Sequence, residues 1–156
     1  FYSTFLSRRL TAEELRDAML FASGELNRQV GGIPCRPDIN LEVAMQPRQI
    51  MGGTASVYEP DSLPAARNRR SLYAEKIRGL RDPFLETFNQ PGPDKSCEAR
   101  ETSTIAPQAL TLMNNSFVLR MADRFSERVT KDVGSRGDAQ VTAVYALAYQ
   151  RQPAAV

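Results

Sequence analysis

Apolar positions recur along this chain with two rhythms, and the contrast separates helical stretches from long irregular ones. From Ala12 to Ser23 the spacing predicts an amphipathic helix, with Leu15, Ala18, Met19 and Ala22 on one face and Glu13, Arg16 and Asp17 away from its centre. Thr11 and Glu14 make a capping box ahead of it, Leu10 and Leu15 a hydrophobic staple, and Gly24 a natural stop. The strongest stripe is Leu110, Met113, Phe117, Met121, Phe125 and Val129, at steps of three and four. Pro107 suits its first turn, and Asn114-Asn115-Ser116 is the place for a break or kink. Asp82-Pro83 opens a short helix through Phe84, Leu85 and Phe88. Asp138 is expected to cap a last helix that turns Val141, Val144, Tyr145 and Leu147 inward.

Elsewhere the rhythm fails. Residues 31–68 are punctuated by Gly31, Gly32, Pro34, Pro37, Pro47, Gly52, Gly53, Pro60 and Pro64 and read as a long ordered loop, in which residues 49–51 and 54–58 flank Gly52-Gly53 as arms of a small β-hairpin. Residues 71–77 fit neither period, residues 89–104 read as a second loop, and Phe1, Tyr2, Phe5 and Leu6 suit a helical turn at the start. The expected fold is therefore mainly α: four or five helices in an irregular bundle around Leu15, Met19, Leu110, Met113, Phe117, Phe125 and Val144, clamped by two long loops. Residues 1–156 are expected to form one helical domain, part of a larger polypeptide.

Composition narrows the chemistry more than the fold. With 42% hydrophobic and 24% charged residues the chain has ordinary globular usage. It has no His, which removes Ser/His/Asp and Cys/His nucleophilic mechanisms, HExxH metal sites and histidine ligation of haem. Cys35 and Cys97 are too few for a closed zinc or iron–sulfur site, and, 62 residues apart in loops, they read as two free thiols, or as a pair in an oxidising compartment. Phosphate-loop, dinucleotide, nucleophile-elbow and SxxK signatures are absent. No metal and no cofactor are expected in this chain. No apolar run approaches the roughly 18 residues of a membrane span. A net charge of +2 is a poor basis for binding nucleic acid.

Charge type says more than charge balance. Seventeen of the twenty basic residues are arginine, whose planar fork matches carboxylates, phosphates and sulfates bidentately. Arg69 and Arg70, with Arg67, Arg78 and Arg81 close by, form the densest cluster and a candidate clamp for anionic groups; the competing reading pairs them internally with Glu13, Asp17, Glu75 or Glu101. Arg100, Glu101 and Gln108 stand at a loop-to-helix junction where exposed N–H groups attract anions, although Thr102, Ser103 or Thr104 would equally serve there as a helix cap. Candidate ligand-binding residues are thus Arg69, Arg70, Arg100, Glu101 and Gln108, and no catalytic set suggests itself.

Several stretches taken together carry a family likeness. Arg9-Leu10, Ala12-Glu13, Leu15-Arg16-Asp17-Ala18, Ser23-Gly24, Gly31-Gly32 and Arg69-Arg70-Ser71-Leu72-Tyr73 in the first half resemble the planctomycete PSD domain. Ser96-Cys97, Arg100-Glu101-Thr102, Pro107-Gln108-Ala109-Leu110, Leu112-Met113-Asn114, Arg151 and Pro153 follow in the same order. The resemblance implies a C-terminal domain of unknown function in large planctomycete cell-envelope proteins, often with a cytochrome-c-like domain upstream. The chain departs from that pattern at Asn89, where the family usually carries Asp. The role this implies is a non-catalytic accessory or interaction module that holds neighbouring domains of the parent protein; an anionic glycan, sulfated or uronic-acid, bound or processed at the arginines, is the alternative.

Overall fold

The computed structural model describes residues 8–51, 57–94 and 96–154, and in it Thr11 begins the first helix as its sequence dictates. The Thr11 hydroxyl accepts from the Glu14 amide at 3.3 Å and the Glu14 carboxylate accepts from the Thr11 amide at 2.8 Å, a complete capping box on α1 (Ala12–Ser23). Gly24 ends α1 at φ +81°, its amide donating to the carbonyls of Leu20 and Phe21. Arg128 approaches from the far end of the chain and donates to the Phe21 and Ala22 carbonyls at 2.9 and 2.8 Å. The left-handed backbone favours glycine here, and a Cβ at position 24 would stand 3.3 Å from Arg128 Cδ, so that side chain would also have to give by a few tenths of an ångström.

Six further helices follow: α2 (Leu41–Met51), α3 (Pro64–Arg67), α4 (Pro83–Thr87), α5 (Ala106–Asn114), α6 (Ser116–Val133) and α7 (Gly137–Tyr149), with a 3-10 turn at Ser71–Tyr73. The class is mainly α as expected, with seven helices among the described residues rather than four or five. Among the described residues there is no sheet, only isolated parallel bridges pairing Asn27 with Arg69 and Cys35 with Ala74. Through them residues 27–35 run alongside residues 69–74.

The first long loop proves partly helical. Asn40 accepts from the Glu42 amide at 2.8 Å and starts α2, which continues through Pro47; two of the five prolines that read as loop punctuation are absorbed into helices, Pro47 inside α2 and Pro64 at the first position of α3. Residues 49–51, one arm of the expected hairpin, are the end of α2. The turn between the arms lies outside the described residues, as does the expected helical turn at Phe1–Leu6. The second loop, 89–104, is irregular throughout its described part. Asp82 caps α4, its carboxylate accepting from the Phe84 amide at 2.9 Å.

The long apolar stripe splits at Asn115, which ends α5 and caps α6 by accepting from the Phe117 amide at 2.9 Å. The break resets helical phase, so a stripe continuous in sequence is not continuous in space. Leu110 and Met113, expected in the core, are 58% and 70% exposed, whereas Met121 and Val129 on α6 are buried. Two caps also differ from expectation. Ile105, not a threonine or serine, is the N-cap of α5, and Arg136 that of α7, leaving Asp138 inside the first turn of α7. Val141 is exposed rather than inward, with Val144, Tyr145 and Leu147 half-buried.

The core gathers around α1, which packs against α4, α6 and the 3-10 turn. Ala12, Phe84, Leu85 and Phe88 form its centre, with Leu15, Met19 and Val118 packed against them. Phe84 meets Phe88 and Phe117 at centroid distances of 5.1 and 5.7 Å. The buried side of α1 is Ala12, Arg16, Leu20 and Ser23, rotated from the face that hydrophobicity selects; Ala18 is exposed.

Leu20 is wholly excluded from water, so Leu20→Ala is expected to lower unfolding free energy by about 2–5 kcal/mol in guanidinium titrations. Asn115→Ala, which removes the cap without opening a cavity, is expected to cost about 1 kcal/mol in the same assay.

Candidate functional site

The polar side chains of α1 organise everything around it. Arg16 is 4% exposed and reaches under the 69–71 segment, where it donates to the Arg69 carbonyl at 3.0 Å, the Ser71 hydroxyl at 3.2 Å and the Arg67 carbonyl at 3.3 Å. Asp17 beside it accepts from both the Ser71 amide and the Ser71 hydroxyl at 2.7 Å. Burial pushes the Arg16 guanidinium below its ordinary value, with Asp17 and Asp82 opposing the shift; it remains charged. Arg70 stays exposed, its Nε 3.7 Å from Asp17.

Arg69 points the other way. Its guanidinium is buried against the 29–33 segment and donates to the carbonyls of Ile33 at 2.7 Å, Gln29 at 3.2 Å and Gly31. It also lies 4.4 Å over the Tyr73 ring, while its Nε is a buried polar atom with no partner. Val30 and Ile33 of the segment it holds are almost fully exposed.

Gln108 is a second knot. Buried on α5, it accepts from Arg9 at 2.7 Å and from the Ile105 amide at 3.3 Å, and donates to the Thr87 carbonyl, Asn89 Oδ1 and the Ser103 hydroxyl at 3.0, 3.2 and 3.3 Å. Asn89 sits at φ +63°, a left-handed turn that asparagine tolerates well, and its side-chain oxygen takes both donors. Arg9 also binds the Ser103 carbonyl and the Thr104 hydroxyl. Glu101 is exposed at the rim of a recess of about 50 Å³ that Arg9, Asn89 and Arg100 share.

Arg100 grips Glu13 with two nitrogens at 2.7 and 3.2 Å. Burial would raise Glu13, but Arg100, its backbone amide and Gln90 together hold its carboxyl below the usual range. This pair forms one wall of a mainly apolar cleft of about 320 Å³ between α1, residues 74–82 and the Pro91–Pro93 turn. Ile39, Tyr58, Ile77, Leu80 and Leu85 supply its apolar surface. Tyr58 donates to the Pro37 carbonyl at 2.7 Å, and burial pushes its phenol upward. Burial likewise raises the Asp82 carboxyl and lowers the Lys76 ammonium at the cleft's lining.

The five candidate residues thus do not face one opening. Arg69 and Gln108 are inside, holding backbone; Arg70 and Arg100 lie along α1, one turn apart, on Asp17 and Glu13; Glu101 is at the small recess. Arg9, Arg16 and the Lys76 cleft are not among the sequence candidates and Asn89 is marked only as a departure from the family pattern, since neither burial nor a distant partner leaves a local mark in sequence. Among the described residues no group of His, Cys, Asp and Glu is arranged to hold a metal. Cys35 and Cys97 are both free thiols, Cys35 buried and raised by that burial, Cys97 exposed.

Removing Arg16 strands three acceptors and takes one cation from beside Asp17, so Arg16→Ala is expected to cost roughly 3 kcal/mol or more, against less than about 1 kcal/mol for Arg70→Ala, both read by denaturant unfolding. Arg8 and the Thr11 amide hold Glu14 at about 2. Its contribution is complete above the unfolded value, about 4.3, and is lost as pH falls from there toward 2. The melting temperature is expected to drop over that acid window, with a shallower slope in Glu14→Gln.

Such an arrangement, arginine and glutamine clasps around one apolar cleft, names no reaction. Comparison with known proteins is as spare: no curated protein and no solved structure matches the chain. No helix among the described residues is long and apolar enough to cross a membrane. One family matches over residues 1–156, covering both knots and the cleft together, and by that match the chain belongs to the PSD1 family, described as a protein of unknown function (DUF1553).

Proposed function

We propose that the chain is a non-catalytic accessory module of a larger planctomycete cell-envelope protein, and that its task is to hold a neighbouring domain of that protein. The observation that carries this reading is α7. From Ala139 to Tyr149 it has no charged side chain, it packs chiefly on α6, and none of its residues is buried. Val141 and Tyr149 are 50% and 63% exposed. An uncharged helix left this open favours an apolar protein surface as its partner. Arg151 stacks on Tyr145 and Tyr149 at 5.2 and 5.6 Å and gives that surface an aromatic and arginine edge of the kind enriched in interfaces.

Anionic glycan binding or processing at Arg69, Arg70, Arg100 and Glu101 is the competing reading; the exposure of Arg70 favours it, and the engagement of Arg69 and Arg100 with internal partners speaks against it. Hydrogen exchange separates the two. Amides of α7 are expected to exchange more slowly in the intact parent protein than in the isolated chain, with no rise in melting temperature when sulfated or uronic-acid polysaccharides are added. Equal exchange in both settings, with a saturable rise from one anionic polysaccharide that Arg70→Ala with Arg100→Ala abolishes, overturns the accessory reading.

A further inference from the structure

The cleft beside Glu13 has an unequal charge ledger. Glu13 is taken by Arg100 and Gln90, Glu75 by Arg36 at 2.6 Å, and Arg81 by Glu86 at 2.5 Å and the Gln90 carbonyl at 3.1 Å. Asp82 caps α4, and Tyr58 donates to Pro37. Every polar side chain lining the cleft therefore has a partner within the protein except one. Lys76, an exposed residue at the lining of the cleft, makes no hydrogen bond and no ion pair among the described residues, and it shares that lining with Ile39, Ile77, Leu80 and Leu85.

We propose that this cleft binds a small organic monocarboxylate, its carboxylate on the Lys76 ammonium and its apolar body against Ile39, Ile77, Leu80 and Leu85. The volume, about 320 Å³, is at the small end of the roughly 300–1,000 Å³ typical of small-molecule sites, which suits a body of about six carbons. A single negative charge fits because Lys76 is the one cation lining the cleft without a partner among the described residues, and the Glu13 and Asp82 carboxylates that act on it would repel a second. A carboxylate fits better than a phosphate because it carries one charge at neutral pH, where a phosphate group carries about 1.5 to 2. Partial desolvation lowers the Lys76 ammonium from its ordinary value although the residue is exposed, and a bound carboxylate would oppose that shift.

Melting of the purified chain with hexanoate, phenylacetate, acetate and hexan-1-ol tests the site, since a ligand of the folded state alone raises the midpoint. Hexanoate or phenylacetate at a hundredfold excess over Kd is expected to raise it by about 5–10 °C, with no comparable rise from acetate or hexan-1-ol. Lys76→Gln, which breaks no contact, is expected to fold as the parent does and to lose the rise. The Lys76 titration, followed by the NMR shift of its side chain, is expected to move upward with the acid bound. No rise with either acid, an equal rise with acetate or hexan-1-ol, a rise that survives in Lys76→Gln, or an unmoved Lys76 titration overturns the proposal. None of these readouts depends on α7 or on the parent protein.

Discussion

A guanidinium without water must find acceptors, and the architecture of this protein is arranged around meeting that demand for Arg16. Three acceptors of the 67–71 segment surround it, two of them backbone carbonyls from a stretch with almost no regular structure to occupy them otherwise. The exchange is mutual: the charge keeps the irregular segment folded, and the segment lets the charge stay inside. Arg69 repeats the device one layer out, using its own fork to hold 29–33 against the segment that Arg16 holds. A chain with many prolines and few strands thus gains order from side chains that cross-link backbone.

What could be read in advance follows from this. Caps and stops are local chemistry, so the Thr11–Glu14 box, the Gly24 stop, the Asp82-Pro83 start and the interruption near Asn115 were all legible. The buried face of α1 was not, because Arg16 and Ser23 lie on it and no apolar count selects them. Pro47 hid α2, and the phase reset at Asn115 turned Leu110 and Met113 from core to surface. Of the candidate site, arginine as the important side chain was legible; that Arg69 and Gln108 face inward is decided by partners 20 to 40 residues away.

Asn89 shows what a departure from a family pattern can mean physically. The position requires a left-handed backbone and an oxygen that accepts from Ser103 and Gln108. Aspartate and asparagine both supply that oxygen, so at this position the side chain reads as a hinge fitting for the second loop and not as an acid.

The Arg9 clasp joins residues 94 to 99 apart in sequence, and the Arg16 clasp residues 51 to 55 apart. Helical proteins normally fold fast because their contacts are local. Here the helices form locally but the clasps close only after most of the chain has come together, so loop-closure entropy sets the folding barrier. Folding is therefore expected to be slower than a secondary structure made almost wholly of helix would by itself imply.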